Sequence, residues 1–166
     1  MKKNYTNKQM SFLRMLSVVM CLMLIVPAMA KAQGKTNFAG NWAFNESKSK
    51  LGDSGRRFGG GDFVVKQEAN LLSVERSFND QSFTSKYTLD GKESVNSFGR
   101  GESKSTAKWS DDGKSLTIVT KMNFNDMEIK STQVWTLNDA KTLSIVSTRP
   151  NRDGGTVTTT SVYDKK

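Results

Sequence analysis

From residue 37 to the C-terminus the chain alternates. Apolar or aromatic side chains recur at every second position in short runs, and the intervening positions are mostly Lys, Glu, Thr and Ser. A period of two is the period of a strand, whose successive side chains point to opposite faces, whereas a helix would repeat at 3.6. The runs are broken by Asp-Gly and Asn-Asp, and proline occurs only at 27 and 150. Strands are expected near 38–45, 63–69, 71–78, 82–89, 103–110, 115–122, 127–137, 142–149 and 155–164. The turns between most of them are short, so neighbours in sequence should be antiparallel neighbours in space.

A weak repeat supports this order. An aromatic residue is followed by a polar turn and lysine in YTLDGK from 87, WSDDGK from 109, WTLNDAK from 135 and YDKK from 163. An open meander of about eight strands would leave two exposed edges, and closure into a barrel removes them. The expected fold is therefore all-β, an antiparallel up-and-down meander closed into a barrel, with a β-sandwich as the alternative.

The first 32 residues read differently. Residues 1–14 carry four basic residues and no acidic ones, and 15–30 are almost wholly apolar, ending in Ala-Met-Ala. That order is a secretory signal peptide, and the apolar run is short for a membrane span. The expected organisation is a signal at 1–32 and one domain at 33–166, exported to the periplasm or the exterior of a bacterium. The only cysteine, Cys21, lies in the signal, so the mature domain has no disulfide to support its core.

Charge and composition exclude several function classes. The formal charge of +9 falls to +4 once the five basic residues of 1–32 are removed from the 25, leaving 20 against 16 acidic. The basic residues are spread along the chain, unlike the concentrated basic face that nucleic acid requires. There is no histidine, which removes the commonest general base and metal ligand, and every Ser-His-Asp or Cys-His arrangement with it. Zinc and haem ligand sets are likewise missing. Paired carboxylates could in principle hydrolyse a glycan, but the carboxylates fall mainly on outward positions or in turns, so no enzyme, cofactor or metal is expected.

Alternation also assigns faces. Arg76, Ser85, Ser131, Gln133, Ser147 and Arg149 share the parity of the core residues. An unpartnered inward hydroxyl or amide costs about 1–3 kcal/mol, so these groups either reach water at strand ends or line a wet cavity. A cavity that is mostly apolar with a few convergent polar groups is the general form of a ligand site. In that case Arg76 and Arg149 would hold an anionic end, Gln133 and Ser131 would be polar contacts, and Tyr87, Trp109 and Trp135 would be walls. The alternative places Trp42, Trp109 and Trp135 in the core and both arginines at the rim. The glycine-rich GDSGRRFGGGD at 52–62 lacks the Lys-Ser/Thr of a phosphate loop and reads as a linker or a lid.

FAGNWAFNESKSK from 38, STAKWSDDGKSLTI from 105, TQVWTLNDAKTLSIVSTR from 132 and TTTSVYDKK from 158 together resemble the small exported lipocalin-like domains of bacteria. Gly40-x-Trp42 is similar to the Gly-x-Trp of lipocalins. The resemblance implies that Trp42 plugs the closed end of a barrel beneath a basic side chain from late in the chain, with Arg149 as the candidate. It also implies carriage of a small hydrophobic or amphipathic ligand. The alternative is a solid-core barrel acting as an interaction module in the cell envelope.

Overall fold

The computed structural model describes residues 34–52, 60–78, 81–98, 101–124, 127–151 and 154–166. The segment expected to be a signal, 1–32, with Cys21, and Arg56, Arg57 and Phe58 of the glycine-rich segment lie outside the described residues.

Ten strands form one antiparallel sheet: β1 (Gly40–Lys50), β2 (Phe63–Gln67), β3 (Leu71–Phe78), β4 (Gln81–Thr88), β5 (Glu93–Phe98), β6 (Gly101–Trp109), β7 (Ser115–Phe124), β8 (Met127–Asp139), β9 (Thr142–Pro150) and β10 (Thr156–Lys165). The order is β4-β3-β2-β1-β10-β9-β8-β7-β6-β5, a meander in which the first strand pairs with the last. The sheet rolls up until β4 and β5 meet, so the molecule is a nearly closed barrel. Ten strands replace the expected eight or nine because β5 escapes hydrophobic patterning. Its inward positions are Ser94 and Asn96, and its apolar Val95 faces out at 55% exposure.

One seam therefore lacks a backbone ladder, and side chains close it instead. The Lys86 N–H donates to Asn96 Oδ1 at 2.6 Å, and Asn96 Nδ2 donates to the Lys86 carbonyl at 3.0 Å. The Thr88 N–H donates to Ser94 Oγ at 2.9 Å. The Asn96 amide thus presents to β4 the donor and acceptor that a backbone peptide would.

The core occupies one end of the barrel. Every strand that runs towards this end, the even-numbered ones, carries an inward aromatic: Phe63, Tyr87, Trp109, Trp135 and Tyr163. Four of these are the aromatics of the sequence repeat. They pack with Phe38, Trp42, Leu72, Leu116 and Leu143 into one cluster. Residues 34–39 cross the end as a strap. The Thr36 N–H donates to the Gly113 carbonyl, and Gln67 holds the strap at the other side through the Phe38 N–H and the Thr36 carbonyl. Phe38, on the strap, stacks parallel to Trp109 and edge-on to Trp135.

Candidate functional site

Trp42 lies in the closed end, 1% exposed, and its indole N–H donates to the Phe38 carbonyl at 2.9 Å. The cation over its ring is Lys165, with Nζ 5.5 Å from the centroid. This corrects the expected pairing with Arg149. Arg149 pairs with Val157 near the far end of β9, one residue before Pro150, whereas Lys165 is the register partner of Trp42.

The three aromatics expected as ligand walls belong to this same end. Trp135 is buried in the core, and Trp109 and Tyr87 pack against it. The indole N–H of Trp135 donates to Gln133 Oε1 at 3.1 Å, which places Gln133 directly above the core on β8. A shallow cleft on the outside of the closed end is lined by Lys35, Asn37, Gln67, Glu68, Ala69 and Leu89, but the Gln67 amide is engaged with the strap.

The other half of the barrel has a different interior. The pairing register puts Arg76, Phe83, Ser85, Ser105, Thr120, Ser131, Ser147 and Thr159 on the inward face. Ser85 and Ser105 are buried, whereas Arg76, Phe83, Thr120, Ser131, Ser147 and Thr159 keep partial solvent access although they face inward. Water therefore reaches part of the inner wall of this half. Ser105 and Thr120 share a hydrogen bond across β6 and β7 at 2.9 Å, so this wall presents paired hydroxyls.

Arg76 is the distinctive group of this half. Its guanidinium lies over the Phe63 ring, 4.8 Å from the centroid. Phe63 in turn meets Tyr163 edge-on at 4.6 Å. Burial pushes the Tyr163 phenol above the usual 10.0, and the Arg76 charge and a hydrogen bond with Ser161 partly offset that rise. The phenol is therefore neutral near pH 7. Among the described residues Arg76 is in no carboxylate ion pair, unlike Lys48, Lys92, Lys104, Lys121 and Lys166. A guanidinium stacked on an aromatic keeps its in-plane N–H donors available to a bidentate acceptor.

Of the expected site residues, Arg76, Ser131, Gln133 and Arg149 face the open half by register, and Tyr87, Trp109 and Trp135 do not. Tyr163 beside Arg76 was not among them. Its alternation with Val157 is the signal for an inward position, but its approach to Arg76 depends on the pairing of β10 with β1. Among the described residues no group of three or more Cys, Asp or Glu side chains is placed to hold a metal ion.

An antiparallel ten-stranded barrel with one filled end and one open half defines the class of protein. No protein-family model matches the sequence, and no curated protein matches it. Among solved structures the chain is similar to the REP1-NXSQ fatty acid transporter, with a TM-score of 0.55 and 14% identity over 77% of this chain and 95% of that one. At that identity the likeness is one of fold.

Proposed function

We propose that the protein is an exported, non-enzymatic barrel that binds a small hydrophobic or amphipathic molecule with an anionic end. The observation that carries this reading is Arg76. It stands on the inner wall above a filled aromatic end, in no ion pair among the described residues, beside the neutral Tyr163. Ser131 and Ser147 supply hydroxyls from the facing strands. The fold likeness to a fatty acid transporter supports the choice of ligand class.

The test is calorimetric titration with octanoate and with octanol. Octanoate should bind more tightly, and Arg76→Leu should weaken octanoate about 10- to 100-fold, the worth of a hydrogen bond to a charged group. Octanol should be little affected. Unchanged octanoate affinity in the variant removes Arg76 from the site.

The interaction-module reading has one observation of its own. The outward side chains at the centre of β7 to β10, including Thr117, Val119, Thr132, Val134, Val146 and Thr160, carry no charge. A barrel that takes up neither ligand and instead retains envelope proteins through this face would favour it.

A further inference from the structure

We infer that the cargo of this barrel is short: an anionic amphiphile whose chain runs to about ten carbons, held head-down. The inference rests on the binding reading above and adds a length limit and an orientation to it.

The limit comes from the filled end. Phe63, Val74, Ala107, Ile118, Trp135 and Ile145 sit on six different strands, and all are 3% exposed or less. Together they close the interior from wall to wall. A chain entering from the open end stops there, because side chains packed to crystal-like density leave no passage for methylenes.

The orientation comes from an ordering repeated on four strands. On β4, Ser85 lies nearer the filled end and Phe83 two residues nearer the open end. The same succession appears as Thr120 then Met122 on β7, where Met122 is 38% exposed, Ser131 then Ile129 on β8, and Thr159 then Val157 on β10. A belt of hydroxyls thus lies just above the filled end, and an apolar collar lies above the belt. Arg76 belongs to the belt, since its guanidinium rests on Phe63 of the filled end itself. Two inward residues interrupt the collar. Ser103 turns its hydroxyl to the Asn96 carbonyl at 3.3 Å, and Arg149 stands at the last turn of β9. An amphiphile with its charged group down, on Arg76, and its tail up, in the collar, matches this order on β4, β7, β8 and β10.

The available depth follows from strand geometry. Four residues separate Val74 from the end of β3 at Phe78, and six separate Ile118 from the end of β7 at Phe124. With a rise of about 3.3 Å per residue and a tilt near 40°, these spans give about 10–15 Å along the barrel axis. An extended chain advances about 1.25 Å per carbon, from bonds of about 1.5 Å set in a zigzag. The interior above the filled end, belt and collar together, is therefore used up by about eight to twelve carbons, the carboxylate carbon included.

The experiment is calorimetry on the protein with saturated carboxylates of six, eight, ten, twelve, fourteen and sixteen carbons, each below its micellar concentration. Affinity should rise about fourfold per methylene as far as about ten carbons, then change less than twofold up to sixteen. A rise that continues at the same slope to sixteen carbons would show that the tail stays buried beyond the collar, and would overturn the length limit while leaving the binding reading intact. Absence of binding at every length would overturn the binding reading, and the length limit with it.

Discussion

At the level of single residues, the Gly-x-Trp on β1 is explained by what crosses it. Gly40 has φ of 149°, and a Cβ built there would lie 2.5 Å from Lys165 Cε. The lysine stem runs over Gly40 so that its ammonium can reach the Trp42 ring. The indole does the larger share of the work, because its burial is nearly complete and its N–H is satisfied by the strap. Trp42→Ala should cost about 3–5 kcal/mol. Lys165→Met should cost no more than about 1 kcal/mol, since the cation is exposed. Urea denaturation of both variants measures the difference, and equal losses would mean that the ammonium, rather than the packing, holds this end. Gly40 and Trp42 are legible in sequence, but their cationic partner is not. Arg149 and Lys165 are both late basic residues, and only the β1–β10 register brings Lys165 opposite Trp42.

At the level of elements, the informative strand is β5. It was missed by alternation because its inward side chains are polar, and they are polar because they face a strand they cannot pair with by backbone. Asn96 takes over that pairing with its amide. Asn96→Ala would leave the Lys86 N–H and carbonyl without those partners, at a cost of about 1–3 kcal/mol. The loss should be local, so the Lys86 and Thr88 amides should exchange with solvent at least several-fold faster while the Val74 amide keeps its protection. Uniform acceleration across the sheet would show that the seam opens only with the whole barrel. The far part of β1 was also underestimated, since Glu46, Ser47, Lys48 and Lys50 carry no apolar signal. Ser49 keeps this part of the chain in register: it accepts the Val162 N–H and donates to the Asn45 carbonyl across a bulge.

At the level of the whole barrel, carboxylates tie its first strand to its last. Asp164 accepts from Asn45 and Lys48, and Asp62 accepts from Lys166 and from the Phe44 N–H. The hydrogen bond from Asn45, followed by that from Lys48, holds the Asp164 carboxyl below the ordinary 3.8, and the one from Lys166 does so for Asp62. A carboxyl whose folded pKa is depressed stabilises the fold above its unfolded pKa and loses that contribution as pH falls through the folded value. Thermal stability should therefore be flat from neutrality to about pH 5 and fall below pH 4. The double variant Asp62→Asn, Asp164→Asn should melt slightly lower at pH 7 and show a shallower acid limb. Parallel acid limbs for the variant and the parent would place the acid sensitivity elsewhere. Both pairs are mostly exposed, so the effect is small.

Period-two alternation, scarce proline and Asp-Gly turns determined by themselves that this chain is an antiparallel meander. In the strands with one apolar face they also assigned the inward side chains, since a strand has only two faces, whereas β5, with polar inward side chains, escaped them. The recurring aromatic before each polar turn was legible as a repeat, but that these side chains fill one end together follows only from the strand register. Closure was decided by tertiary structure. The contact of Tyr163 with Phe63, the seating of Arg76 on that ring, and the amide bridge from Asn96 to β4 join residues 100, 13 and 10 positions apart. No local pattern encodes such distances. They follow from how ten strands must tilt and roll before the first can meet the last and the fourth can meet the fifth.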